Sequence, residues 1–282
     1  MRFSDVTGQV IELAAPPKRV ISLVPSVTET LFAIRAGASL VGRTRYCISP
    51  DPDVRAIERV GGTKDPDLER IQALRPDLVL ANREENRKPD IEALRARGIP
   101  VYVEEPVTVT EGLETVSRLG QMLAAEEAAD AIVRRGVQVL SDVKARLADL
   151  EAQNALRLTP RKSVRPRVVA FIWKDPWMVV GSRTFMGDMI ETLGGEHLYK
   201  THAQRYFAVE PGEVAAANPD ILLFPDEPYS FSEPDLIWWQ EHFAAMGAVR
   251  HSRLRPCSGQ DLAWYGARIP GALARLQPAL AW

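Results

Sequence analysis

The chain has 282 residues, 46% hydrophobic and 26% charged, and its 35 Lys and Arg against 37 Asp and Glu leave a net charge of -2. That length is ample for two lobes and that composition belongs to a globular protein, while the charge gives no reason to expect nucleic acid or an anionic membrane as partner. No apolar run approaches the roughly 20 residues that span a bilayer, so no membrane insertion is expected.

Val20-Ile21-Ser22-Leu23-Val24 is short, β-branched and nearly continuous, which predicts a strand buried on both faces and ended by Pro25. Ser26-Val27-Thr28-Glu29 reads as a capping box opening a helix that Gly37 stops. Leu68–Leu74 reads as a helix, Pro76–Ala81 as a strand, Pro89–Arg97 as a helix closed by Gly98, and Ile99–Val103 as a strand. Alternation of this length predicts a parallel sheet with helices on both faces. Glu111–Ala124 is a further helix. Glu126 to about Ala152 is a long one, with Ile132, Val139, Val143, Leu147 and Leu150 on one stripe, as a strut between lobes would need.

Residues 153–167, rich in Arg and Pro, read as an exposed connector. A second α/β series follows: strand Val168–Trp173, helix Phe185–Leu193 ending at Gly194-Gly195, a helix from near Pro211, and strand Pro219–Phe224. Trp238 and Trp239 fall on a helix and read as structural. Leu74-Arg75-Pro76-Asp77-Leu78-Val79-Leu80 is echoed by Ala217-Asn218-Pro219-Asp220-Ile221-Leu222-Leu223, a helix–Pro-Asp–strand unit used once per half. The expected fold class is therefore α/β: two Rossmann-like lobes with parallel sheets, joined by one long rigid helix, with a ligand cleft between them. The expected boundaries are 1–110 for the first lobe, 111–152 for the helical tract, 153–167 for the connector and 168–282 for the second lobe.

Catalytic signatures are missing. There is no GxGxxG after a strand, no GxxxxGK[ST], no GxSxG and no HExxH, so no catalytic residue is assigned and the chain is not read as an enzyme. A two-lobed, cofactor-dependent enzyme is the rival from another class, and it would need one of these fingerprints. All four His follow residue 150, which rules out a metal site drawing His from both lobes, and no metal ligand is assigned. Glu84-Glu85 and Glu104-Glu105 read as solvated loop ends rather than carboxylate dyads. Cys47 and Cys257 form no CxxC pair and read as two free thiols in preference to a disulfide. Sixteen of the twenty aromatic residues, with every Trp, lie after residue 150, so one half can offer stacking surfaces that the other cannot. The N-terminus Met1-Arg2-Phe3-Ser4-Asp5 carries no apolar stretch, so the expected location is cytoplasmic as written, or periplasmic or cell-envelope for a processed form.

Arg19-Val20-Ile21-Ser22-Leu23-Val24-Pro25-Ser26-x-Thr28-Glu29 and Val60-Gly61-Gly62-Thr63, with Leu68-Glu69-Arg70-Ile71-x-Ala73-Leu74-x-Pro76-Asp77-Leu78-Val79, resemble the helical-backbone receptors. These are the class III substrate-binding proteins of ABC transporters for vitamin B12, ferric siderophores and haem. Thr44-Arg45-Tyr46-Cys47, Ala81-Asn82-x-Glu84-Glu85-Asn86, Ile172-Trp173-Lys174-Asp175-Pro176-Trp177, Glu227-Pro228-Tyr229 and Trp264-Tyr265-Gly266-x-Arg268 resemble the branch described as cobalamin-binding.

The resemblance implies a monomeric binding protein with no covalent cofactor. Its ligand would be cobalamin or another metal chelate, with a ferric siderophore or haem as rivals, and its partner an ABC permease. A cytoplasmic ligand sensor without an importer is a further alternative. Ligand contacts would come from loops at strand ends: Pro25, Ser26, Tyr46, Asn82 and Glu85 from the first half, and Trp173, Trp177, Arg205, Tyr206, Tyr229, Trp264, Tyr265 and Arg268 from the second. Trp264 and Tyr265 would stack on the ligand, with Arg268 as polar anchor one helical turn beyond Trp264. Docking to the permease would use Glu69, seven residues before Pro76. The same spacing from Pro219 lands on Gly212, with Glu213 one place on. The Trp that vitamin B12 receptors carry beside the first docking helix is Thr63 here.

Overall fold

A computed structural model describes residues 1–157 and 163–280. They form two compact units. The first comprises Met1–Pro106, Thr110–Arg135 and Tyr265–Arg268; the second comprises Val107–Val109, Gly136–Trp264 and the chain from Ile269 on. The boundary drawn from sequence gives 168–282 to one lobe, whereas Tyr265–Arg268 pack with the first unit.

In the first unit Arg2–Ser4 (β1) and Val10–Glu12 (β2) make an antiparallel ribbon. Val20–Ser22 (β3) follows and is wholly buried, as its apolar run predicts. Pro25–Ala33 (α1) starts one residue before the expected capping box, with Val24 as N-cap and no side-chain cap bond. Proline at the first helical position has no N–H to satisfy and sets its own φ, so no capping side chain is needed. The Thr28 and Thr30 hydroxyls instead donate back to the carbonyls of Val24 (3.1 Å) and Ser26 (2.8 Å). The helix also ends before Gly37, with Arg35 in the left-handed region at φ 65°.

Leu40–Arg43 (β4) has no apolar alternation and was not expected as a strand. Its Gly42 packs over the Ile21 side chain, and its Arg43 is only 2% exposed. The buried guanidinium is satisfied by the carbonyls of Val54 (2.7 Å), Thr44 (3.1 Å) and Cys47 (3.1 Å), which makes it a brace for the loop after the strand. Leu68–Ala73 (α2), Leu78–Asn82 (β5), Lys88–Ala96 (α3) and Val101–Glu104 (β6) match the expected alternation within two residues at most ends. The sheet order is β4-β3-β5-β6, all parallel.

Val109–Leu123 (α4) leads to Glu126–Ala155 (α5), whose 30 residues run about 45 Å. The helix passes the expected end near Ala152, so the segment read as connector starts inside it. Residues 158–162 of that segment lie outside the described residues.

The second unit holds Arg167–Trp173 (β7), Met178–Val180 (β8), Phe185–Thr192 (α6), Glu196–His197 (β9), Tyr206–Ala208 (β10), Pro211–Ala217 (α7), Ile221–Pro225 (β11), Glu233–His242 (α8), Gly247–Arg250 (α9), Leu254–Cys257 (β12), Gly259–Ala263 (α10) and Ile269–Leu276 (α11). The sheet runs β10-β8-β7-β11-β12, with β9 on β7. It is mixed rather than parallel, since β8 folds back antiparallel on β7 and β10 on β8. These short strands carry no period-2 signal of their own. Gly181 is required at the end of β8, because a Cβ there would sit 2.1 Å from the Gln204 carbonyl oxygen.

The internal echo is physical. In the first unit the Asp77 carboxylate accepts the backbone N–H of Arg19 (2.9 Å), Asp77 N donates to Arg19 O (2.8 Å), and the Arg19 guanidinium donates to the Leu74 carbonyl (2.7 Å). In the second, Asp220 accepts from Arg167 N (2.8 Å), donates to Arg167 O (2.8 Å), and Arg167 donates to the Ala217 carbonyl (2.6 Å). Arg75 and Asn218, the residues before each Pro, both take a left-handed φ, 47° and 48°. One device thus registers the middle strands of each parallel core. Asp220→Ala is expected to lower the unfolding free energy by about 1–2 kcal/mol. A smaller loss is expected for Asp77→Ala, whose bonds are exposed. Denaturant titration checks both, and unchanged midpoints would make the carboxylates dispensable.

Candidate ligand-binding site

All four strands of the first sheet point the same way, so β3, β4, β5 and β6 end on one edge, where parallel sheets collect their ligands. After β3 come Pro25 and Ser26, both buried. After β4 comes Thr44-Arg45-Tyr46-Cys47. Tyr46 is exposed, with the Arg45 guanidinium 5.0 Å over its ring and held by Asp65. Cys47 is wholly buried with its sulfur 3.2 Å from Thr44 Oγ1, and burial pushes its pKa up, so it stays a thiol. Both cysteines are free.

After β5, two asparagines lock a turn. Asn82 Oδ1 accepts the N–H groups of Glu84 (2.7 Å) and Glu85 (3.2 Å). Asn86 Oδ1 accepts from Asn82 N (2.8 Å), while Asn86 Nδ2 donates to Leu23 O (3.2 Å) and Thr63 O (3.0 Å). The turn presents a half-buried Glu85, whose carboxyl is pushed up to about 8 by desolvation and by Glu84, with Lys64 opposing.

Glu104 ends β6 and corrects the reading of Glu104-Glu105 as solvated: it is 3% exposed. Arg118 Nε stands 3.8 Å away and Thr115 beside it, but no hydrogen bond closes on either carboxylate oxygen. Burial raises Glu104 to about 7 against the pull of Arg118. The only sequence signal was its place as last residue of a strand otherwise apolar throughout.

Tyr265-Gly266-Ala267-Arg268 lies on these same loops. The Tyr265 hydroxyl accepts from Asn82 Nδ2 (3.1 Å) with Ser26 beside it. Burial, then Glu104 and Glu85, push its phenol well above its usual value. Ala267 N donates to Thr30 Oγ1 (3.0 Å), and Gly266, at φ 90°, leaves no room for a Cβ against that oxygen. Arg268 Nε donates to Glu29 Oε2 (2.8 Å). The expected helical pairing of Trp264 with Arg268 is not formed. Helix α10 ends at Ala263, Trp264 is already extended (φ -86°, ψ 112°), and the two residues belong to different units.

The second unit offers aromatic rather than polar material. Trp173, 43% exposed at the end of β7, meets Tyr229 edge-on at 5.7 Å, and Tyr229 leans on Phe231 at 4.7 Å. Trp177 lies in the core, 8% exposed, stacked on Phe231 at 5.9 Å and edge-on to Phe171 at 5.1 Å. Trp239 is fully buried among the same rings, as a structural residue should be. Arg205 and Tyr206 are half-buried at β10, Trp264 is half-buried after α10, and Arg205 O accepts from Gly181 N (2.6 Å). His197 is buried with Nε2 3.0 Å from Val180 O, and burial lowers its pKa. Among the described residues, no cluster of three or more His, Cys, Asp or Glu is placed to hold a metal ion. Glu69, early in α2, is largely exposed and accepts from Arg97 (2.7 Å); Glu213, in the first turn of α7, is exposed.

The chain is 28% identical to the vitamin B12-binding protein of Photorhabdus laumondii over 211 residues, 75% of this chain and 72% of that one. It is 26% identical to the ABC transporter substrate-binding lipoprotein YvrC of Bacillus subtilis, an uncharacterized protein, over 89% of this chain and 76% of that one. The solved periplasmic heme-binding protein BhuT, in complex with two hemes, superimposes with a TM-score of 0.78 at 25% identity, over 93% of this chain and 97% of that one. Residues 20–257 match the periplasmic binding protein model, and the chain belongs to that family.

Proposed function

We propose that the chain is the substrate-binding protein of an ABC importer and that its ligand is a corrinoid. The coarser statement, a substrate-binding protein of the vitamin B12, haem and siderophore type and not an enzyme, follows from the family and from relatives named for binding. The observation that carries the finer reading is the exposed Trp173, backed edge-on by Tyr229 at a strand end. A broad, flat chelate gains from such a surface, because rigid aromatic rings lose little entropy in meeting it. The heme-bound BhuT favours haem as a second reading. Glu69 and Glu213, exposed on helices that precede the two Pro-Asp strands, are the residues we assign to permease docking. A ligand sensor without an importer is the outcome if the parent docks on no permease, and docking left unchanged by Glu69→Ala removes Glu69 from the assigned contacts.

Visible spectra of the purified protein with cyanocobalamin, haemin and a ferric siderophore separate the ligands. A shifted corrinoid spectrum at stoichiometric ratio is expected, and a haemin Soret shift in its place would transfer the assignment to haem. Trp173→Ala should weaken the bound chelate by about 1–3 kcal/mol. Because the ring is 43% exposed, the ligand-free melting temperature should hardly move. A variant that melts much lower yet binds normally would make Trp173 a packing residue.

A further inference from the structure

Trp173 and Tyr229 meet edge-on but stand on different loops. Trp173 ends β7, ahead of the turn 174–177 that leads into β8, and Tyr229 lies in the segment 226–232 between β11 and α8. Their contact therefore depends on how these two loops are held together. Lys174, the neighbour of Trp173, spans them: its Nζ lies 5.6 Å over the Trp177 ring and donates to Asp235 Oδ1 at 2.6 Å. Asp235 is a fixed anchor. It is 3% exposed, and its Oδ2 accepts from Ser232 N (2.9 Å) and Ser232 Oγ (3.1 Å), which closes the capping box of α8. Phe231 joins the frame, touching Tyr229 at 4.7 Å and stacked on Trp177 at 5.9 Å. The start of the Tyr229 segment is seated as well. Asp226 Oδ1 accepts from Gly259 N (2.6 Å) and Glu227 Oε1 from Gln260 Nε2 (3.1 Å), and a Cβ on Gly259 would lie 2.6 Å from the Glu227 carbonyl oxygen. Tyr229 is thus set by its own segment, and the Lys174–Asp235 pair ties the loop after Trp173 to that segment.

We propose that Lys174 is the positioning residue of this stacking surface: through Asp235 it holds Trp173 against Tyr229 in the pose that receives the ligand, without touching the ligand itself. The inference rests on the reading of Trp173 as ligand-facing and adds the residue that preorganises it. With side chains 25% and 4% exposed, the two charges are shielded from solvent more than a surface pair, so salt screens them less. A charge-assisted bond to an immobile carboxylate restrains the residue next to Trp173. Without it the ring would have to be ordered at the moment of binding, and that ordering cost would appear in the affinity.

A double-mutant cycle tests this by calorimetry, with cyanocobalamin, haemin and a ferric siderophore titrated in turn and the cycle run on the one that binds the parent. Lys174→Met should weaken binding about five- to tenfold in the parent but less than about twofold in a Trp173→Ala background, because a positioning residue has nothing to act on once the ring is gone. Asp235→Asn keeps an acceptor for Ser232 and removes the charge under Lys174. It should give the same pattern, and it carries the test if Lys174→Met does not fold. Lys174→Arg, which can re-form the pair, should recover most of the affinity. Equal losses in the two backgrounds would overturn the inference, since Lys174 would then touch the ligand or support the fold at large. Unchanged affinity in both Lys174→Met and Asp235→Asn would overturn it too, and either result leaves a chelate-binding protein that uses Trp173. Parent-like binding by Trp173→Ala would remove the ring from the site and the inference with it. Failure of all three probes to bind the parent would overturn the chelate reading as well.

Discussion

Replacing Trp239 with alanine is expected to cost about 3–5 kcal/mol of unfolding free energy, the range for removing a large ring from a closed core. Trp239 is 0% exposed, with neighbouring ring centroids at 5.0 Å (Phe243), 5.2 Å (Phe171), 5.4 Å (Trp177) and 5.6 Å (Trp238). These rings come from β7, from the residue before β8, from α8 and from its C-cap, so a cavity there loosens several elements at once. The indole Nε1 is buried and finds no hydrogen-bond partner. Trp239→Phe therefore gives back part of its cost by removing an orphan donor, and it should lie within about 2 kcal/mol of the parent. Chemical denaturation followed by fluorescence and circular dichroism reads both variants. If Trp239→Ala unfolds at the parent's midpoint, the aromatic cluster does not hold the second unit together.

Much of the architecture was legible because buried parallel strands write themselves as continuous apolar runs. Val20–Ser22, Leu78–Asn82, Arg167–Trp173 and Ile221–Pro225 all announce themselves, and the Pro-Asp echo located the same Arg–Asp registration in both halves. What stayed hidden was decided by long-range packing. Leu40–Arg43 contains a Gly and an Arg and looks like loop until Ile21 covers the one and three carbonyls satisfy the other. Helix α1 looked capped by Ser26 because Ser-x-x-Glu is a real capping pattern, yet Pro25 removed the need and left Glu29 to bind Arg268, 239 residues away. The candidate site was legible as a set of loops, since residues after strands are positioned by the strands themselves. Their internal roles were not. Tyr265 and Arg268 were assigned to the ligand from the family resemblance, and nothing local discloses that Tyr265 also bonds Asn82 and Arg268 also bonds Glu29. Glu104 was misread for the same reason: a carboxylate at a strand end looks solvated unless its long-range surroundings, here Arg118 and Thr115 on α4, are known.

Glu104 should also make stability depend on pH. Its carboxyl moves from 4.5 to about 7 on folding, because burial penalises the charged form more than Arg118 favours it. A raised carboxylate pKa means that the folded chain keeps its proton over a range where the unfolded chain has lost it. Stability must then fall as pH rises from about 4.5 to about 7 and level off above that. The shift corresponds to about 3 kcal/mol between those limits. Glu85, raised to about 8, adds to the same downward slope and extends it by about one pH unit. Glu104→Gln keeps the shape without the ionisation, so its stability curve should be flatter from pH 5 to pH 7, and it should overtake the parent above pH 7. The residual slope near pH 8 should vanish only when Glu85→Gln is added. Unfolding free energies from urea titrations at pH 5, 6, 7 and 8 measure this directly. A Glu104→Gln curve parallel to the parent's throughout would mean that Glu104 ionises in the folded chain as easily as in the unfolded one, and that Arg118 compensates its burial in full.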